Sequence, residues 1–156
     1  MGRNRETLSS MEAMVPLMAE TLAQGHSVRF SPKGVSMLPM LRQGLDSVVL
    51  SPAPGILRKY DIPLYRRDNG QYVLHRIIAV GDTYTCMGDN QFRPEPGVRD
   101  DQIIGMVTAF YRGDRRIPVT SPGYRIYCRL WHHTRPLRRF FHRAIGWLRK
   151  HGILPK

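Results

Sequence analysis

The sequence predicts a mainly β fold: an irregular antiparallel β domain with an amphipathic helix before it and a basic amphipathic helix after it. Three observations carry this expectation. From His26 onward, short runs of β-branched and aromatic residues alternate with Gly, Pro and Asn-Gly. No helical period interrupts those runs before residue 120. Outside them, apolar residues recur at helical spacing on either side.

Taken in order, Leu8, Met11, Val15, Met18 and Leu22 share one helical face, with Ser9 and Glu12 spaced as a capping box and Gly25 as a stop. This predicts one helix over 7–24, its methionines serving as packing. The strands predicted next are 27–31, 47–50, 62–67, 71–80, 83–87, 103–112 and 116–120. Asp68-Asn69-Gly70 and Gly113-Asp114 have the composition of hairpin turns. The stretch from Gln91 to Arg99 reads as a loop. After Pro122, Leu137, Phe140, Phe141, Ala144, Ile145 and Leu148 mark one helical face, and Arg138, Arg139, His142, Arg143, Arg149 and Lys150 fill the other. Such a helix either lies in a membrane interface, over residues 136–150, or packs on the β domain. The expected division is therefore an N-terminal helix (1–25), a β domain (26–120) and a basic tail (121–156).

At 156 residues the chain suits one domain with a modest core. Its 24 Lys and Arg against 12 Asp and Glu leave a net charge of +12, which favours polyanionic partners, and much of the excess lies after Arg112. Nucleic acid is not the expected partner, because a basic tail alone is an unspecific signal. Cys86 and Cys128 are too few for a disulfide framework and lack the spacing of a zinc site, so two reduced thiols, no metal and no cofactor are expected. No segment has the ~20 apolar residues of a membrane span, and the start has no apolar export core. These features predict a cytoplasmic chain, peripheral at most on the inner membrane surface.

Ser36 lies in Gly34-Val35-Ser36-Met37-Leu38-Pro39-Met40-Leu41, a short apolar run bounded by glycine and proline. A serine becomes a nucleophile beside a base, and the base needs a group to orient it. His75, in Tyr72-Val73-Leu74-His75-Arg76-Ile77-Ile78, is the candidate base, and strand alternation puts it on one face with Val73 and Ile77. Arg76 faces the other way and reads as structural. The candidate orienting carboxylates are Asp89, in Gly88-Asp89-Asn90, and Asp101, in Asp100-Asp101; the spacing alone does not choose between them. Taken alone, a histidine on an apolar face is more often a satisfied core residue than a catalyst, and a turn usually accounts for Gly88-Asp89-Asn90 without chemistry.

Together these segments resemble the type I signal peptidases and their LexA-like relatives over roughly residues 27–112. The matching pieces, in order, are Gly-x-Ser-Met-x-Pro-x-Leu, a hairpin ending in Val-Leu-His-Arg-Ile, Gly-Asp-Asn, and Asp-Asp-x-Ile-Ile-Gly. A histidine rather than a lysine at position 75 is similar to the endoplasmic-reticulum-type branch, and the missing anchor helix to small stand-alone bacterial members. The resemblance implies a signal-peptidase-like fold and a serine endopeptidase that cleaves an extended peptide, a signal-peptide-like or precursor leader. It implies Ser36 as nucleophile, His75 as general base and Asp89, ahead of Asp101, as third member. Where many signal peptidases place a serine, this chain has Gly34, which leaves the oxyanion to backbone N–H groups at Ser36. Two other readings are a LexA-like regulator that cleaves itself, which the histidine and the ~25 residues before the β domain disfavour, and a non-catalytic module that binds nucleic acid or anionic membrane through the basic tail.

Overall fold

The computed structural model describes residues 3–151, with side chains described from Ala13. The element order is α1 (Arg3–Ala23), β1 (Val28–Phe30), β2 (Asp46–Ser51), β3 (Pro63–Arg66), β4 (Tyr72–Leu74), β5 (Arg76–Val80), β6 (Tyr84–Met87), β7 (Glu95–Val98), a single 3-10 turn (Asp100–Gln102), β8 (Ile103–Arg112), β9 (Arg115–Pro118), α2 (Pro122–His133) and α3 (Arg135–Lys150). Helix and strand take almost equal shares, 30% and 31%, so the fold is mixed α/β with antiparallel sheets rather than mainly β. Helices at both ends account for the difference.

β8 organises the larger sheet, whose order is β1-β2-β8-β3-β4. One side of β8 pairs with β2 over Met106–Arg112; the other takes β3 at Ile103–Met106 and β9 at Ala109–Arg112. The second sheet is β5-β6-β7. Both predicted hairpins form. Between β3 and β4 the turn is closed by Arg67 N–H donating to the Gln71 carbonyl, with Gly70 at φ 86, a backbone angle that glycine adopts without strain. β8 and β9 join at Gly113, with Arg112 opposite Arg115.

Two cores form. In the first, Val15, Met18 and Leu22 of α1 pack with Phe30, Val48, Leu50, Leu64, Leu74, Val107 and Phe110 of the larger sheet, and Tyr124 and Cys128 of α2 complete it. In the second, Tyr65 and Ile77 meet Leu57, Tyr84, Cys86 and Val98, bridging the two sheets. Both cysteines are free and buried. Each fully buried large apolar side chain contributes about 1.5–3 kcal/mol.

Several boundaries differ from expectation. Helix α1 extends back to Arg3, which puts Ser9 inside it and not at a cap; the side chains of Leu8 and Met11 lie outside the described residues. Gly25 does end it, with a φ of 83 and its N–H bonded to the Leu22 carbonyl. The single strand expected over 71–80 is two strands in different sheets, broken at His75. The stretch read as a loop before Arg99 contains β7; its Pro96 and Gly97 argued against a strand, yet β7 pairs only with β6 and an edge tolerates proline. The residues at the start of the expected basic tail form α2, whose Tyr124 and Cys128 are part of the first core.

Candidate active site

The Ser36 loop is fixed from below and from both sides. Met37, Met40 and Leu41 are buried in the first core, and the peptide before Pro39 is cis. The Gly34 N–H donates to Gln43 Oε1 at 2.9 Å. At the loop's exit the buried Asp46 carboxylate accepts the Arg42 main-chain N–H at 2.8 Å and its guanidinium at 2.9 and 3.1 Å. Hydrogen bonding by Arg42 outweighs burial and holds the Asp46 carboxyl below its ordinary range.

The loop rests on the turn that follows β6. Asn90 N–H donates to the Ser36 carbonyl at 2.8 Å and Asn90 Nδ2 to the Val35 carbonyl at 3.2 Å. Gly88 makes this approach feasible: a Cβ there would sit 2.5 Å from the Ser36 carbonyl oxygen and 3.1 Å from Ser36 Cβ. β5 pairs with β6 so that Arg76 faces Met87. Continued by one residue, that register sets His75 opposite Gly88, on which Ser36 lies. The two sequence-predicted residues thus converge on one glycine, although among the described residues no hydrogen bond joins Ser36 Oγ to His75. The amides of Ser36 and Met37 likewise donate to no backbone acceptor among the described residues.

His75 is only 4% exposed. Burial, reinforced by the Arg67 guanidinium, lowers its pKa from 6.5 to about 4, against the opposing pull of Glu95 and Asp89. The ring is therefore neutral at neutral pH. Its Nδ1 faces Tyr65 Oη at 3.4 Å and Glu95 Oε2 at 3.8 Å. Tyr65 Oη donates to Glu95 Oε2 at 2.8 Å, and Arg67 grips both carboxylate oxygens of Glu95 at 2.6 Å. Burial and the neighbouring Glu95 raise the Tyr65 pKa, so the phenol keeps its proton. That one proton points at Glu95, and the phenol oxygen can then only accept from His75. The arrangement selects the tautomer with hydrogen on Nδ1 and the basic lone pair on Nε2. Glu95 itself is pushed up by burial, but hydrogen bonds from Arg67 and Tyr65 prevail and hold it ionised.

Asp89 does not fill the expected third place. It forms a two-pronged pair with Arg76, at 2.8 and 2.7 Å, the two side chains each 3% exposed. Arg76 also reaches Tyr124 Oη, Cys128 Sγ, Met40 Sδ and the Tyr60 carbonyl, while Tyr127 Oη donates to Asp89 Oδ2. The Arg76–Asp89 pair so engaged ties β5, the 88–90 turn, the 34–41 loop and α2 into one unit. Arg76 is structural, as its place on the opposite face predicts. Asp101 is corrected as well: it lies on the surface in the 3-10 turn, paired with Arg99 at 3.0 Å. The carboxylate that faces His75 is Glu95, which sequence reading missed because it lay in a proline-rich stretch with no motif around it.

A groove of about 640 Å³ opens beside the site, lined by Arg67, Glu95, Asn90, Phe92 and His142 among others. Among the described residues no His, Cys, Asp and Glu cluster could hold a metal ion. No helix among them is long and apolar enough to cross a membrane. No protein-family model matches the chain, and no curated protein matches it.

Proposed function

We propose that the protein is a serine endopeptidase of the signal-peptidase and LexA-like kind, with Ser36 as nucleophile, His75 as general base and Glu95, acting with Tyr65, in place of the expected aspartate. The observation that carries the reading is the buried, neutral His75, its Nδ1 turned to Tyr65 and Glu95, next in the chain to the Arg76–Met87 pair that leads into Gly88, on which Ser36 rests. A satisfied core histidine needs no carboxylate held in place by an arginine; a base that must become charged does.

In the proposed reaction His75 Nε2 takes the Ser36 proton as Oγ attacks the scissile carbonyl. Glu95, 3.8 Å from Nδ1, favours the imidazolium formed in that step. The Ser36 and Met37 amides receive the oxyanion. The imidazolium then protonates the leaving amine, and water, activated by the same ring, releases the acyl group. Closing the Ser36–His75 hydrogen bond falls to substrate binding, as is common where apo catalytic contacts are long. β4 is the last strand of its sheet and runs directly into His75, so an extended peptide adding to that edge would carry its carbonyl to Ser36.

The test is cleavage of a mixed peptide pool read by mass spectrometry, with the natural chain beside Ser36→Ala. The reading predicts new termini, with small residues flanking the cut, that disappear in the variant. Undiminished cleavage by Ser36→Ala would remove the assignment.

A further inference from the structure

The C-terminal helix is packed the wrong way round for a globular fold. α3 meets the body through its polar side: Arg138 lies 3.6 Å over the Trp131 ring and bonds the Trp131 and Asp89 carbonyls, Arg135 bonds the Phe92 carbonyl, and His142 stands edge-on to Phe92 at 5.4 Å. Its apolar side points outward. Leu137, Phe140, Phe141 and Trp147 are each more than half exposed, and Ile145 nearly so. Ile126 and Leu130 of α2 are more than half exposed too. Single exposed apolar residues are ordinary, but a whole helical stripe of them is not.

Charge identifies what covers that stripe. Residues 115–156 hold eleven of the 24 Lys and Arg and none of the Asp and Glu, so the preceding 114 residues, with 13 basic and 12 acidic, are almost neutral. Among the described residues none of those later cations forms an ion pair. Arg135, Arg139 and Arg143 recur every four residues along one hollow of about 520 Å³ that also includes His132 and Phe140. Guanidinium groups beside bulky rings suit headgroup phosphates above an acyl boundary. Phosphates of a nucleic acid would satisfy the arginines but leave Phe140, Phe141 and Trp147 uncovered.

We infer that α3, with the exposed side of α2, docks the protein on an anionic lipid bilayer. The helix lies in the interface plane, its Leu137, Phe140, Phe141, Ile145 and Trp147 stripe inserted and its Arg139 and Arg143 on lipid phosphates. At 16 residues it is about 24 Å long, and it is too polar to cross. Because Arg135, Arg138 and His142 seat α3 against the 89–92 segment, docking holds the groove beside Glu95 close to the membrane surface. The inference does not depend on catalysis.

The test is co-sedimentation of the full chain with phosphatidylcholine vesicles, with and without 30% phosphatidylglycerol (about a third anionic lipid, enough to set a surface potential). Tryptophan emission is recorded in parallel. Binding is expected to need the anionic lipid, and emission to shift to the blue in the natural chain but not in Trp147→Phe. Phe140→Ser/Phe141→Ser, which keeps every charge and alters only exposed side chains, is expected to weaken binding at least tenfold. Ser36→Ala is expected to bind like the natural chain. Absence of binding, or binding that the double variant retains in full with no emission shift, would overturn the inference. The latter result, with equally tight binding of duplex DNA, would describe a general polyanion arm.

Discussion

Replacing Asp89 with asparagine removes one charge from a pair that water does not reach. Arg76 and Asp89 are each 3% exposed at the side chain and joined by two short bonds. After the change, a guanidinium stays buried among Tyr124, Cys128 and Met40 with no anion to balance it. Breaking a buried pair from one side costs about 3–5 kcal/mol, against a total stability of about 5–15 kcal/mol for a domain of this kind. At about 2–4 °C per kcal/mol for this chain length, the melting temperature should fall by roughly 6–20 °C. The assay is a circular-dichroism melt with a urea titration at fixed pH, alongside serine-probe labelling at a temperature where the variant is still folded. Labelling of the folded fraction should survive within about tenfold. If Asp89→Asn melts with the natural chain and yet loses labelling by about 10³-fold or more, Asp89 orients His75 and Glu95 does not.

Glu95→Gln and Tyr65→Phe address the opposite case. Both should leave the melt within a few degrees while lowering the acylation rate, by up to about 10⁴-fold where the tautomer is lost; a rate unchanged in both would remove the pair from the site. The acid limb of the rate should lie near the His75 value of about 4 rather than near 6.5, because the base must be neutral. Stability follows the same linkage. As pH falls from 6.5 to about 4 the unfolded imidazole binds a proton that the folded one refuses, so stability is full above that window. It declines by about 3 kcal/mol across it, as urea midpoints at stepped pH would record. Gly88→Ala pushes a methyl to 2.5 Å from the Ser36 carbonyl oxygen, so it should cost about 1–3 kcal/mol and reduce labelling of the folded protein further than stability alone explains.

The strand runs and both hairpins were legible because turn chemistry is local: Asn69-Gly70 and Gly113-Asp114 specify their turns wherever they occur. The Ser36 and His75 segments were legible only as order along the chain; what brings each of them to the 87–90 turn, Gly88 under Ser36 and the β5–β6 register beside His75, is tertiary. What sequence could not rank was competition among carboxylates. Asp89 sits in the more suggestive motif, but the neighbour of His75 in the chain, Arg76, takes it. Glu95 reaches His75 because β7 pairs with β6, and its proline and glycine hid that strand. α2 could have been read from Tyr124, Tyr127, Cys128 and Trp131, spaced at helical intervals; the arginine-rich texture of the surrounding residues masked it. The direction in which α3 faces was open in the sequence, since an amphipathic period does not say which side meets the body.

The measurement that bears most directly on the site is covalent labelling by a serine-reactive acylating probe, located by peptide mass spectrometry in the natural chain, His75→Ala and Glu95→Gln. The account predicts an adduct on Ser36 that vanishes without His75 and slows sharply without the Glu95 carboxylate. An adduct on Ser36 that forms at the same rate in His75→Ala would contradict it, because the serine would then owe nothing to the histidine opposite Gly88.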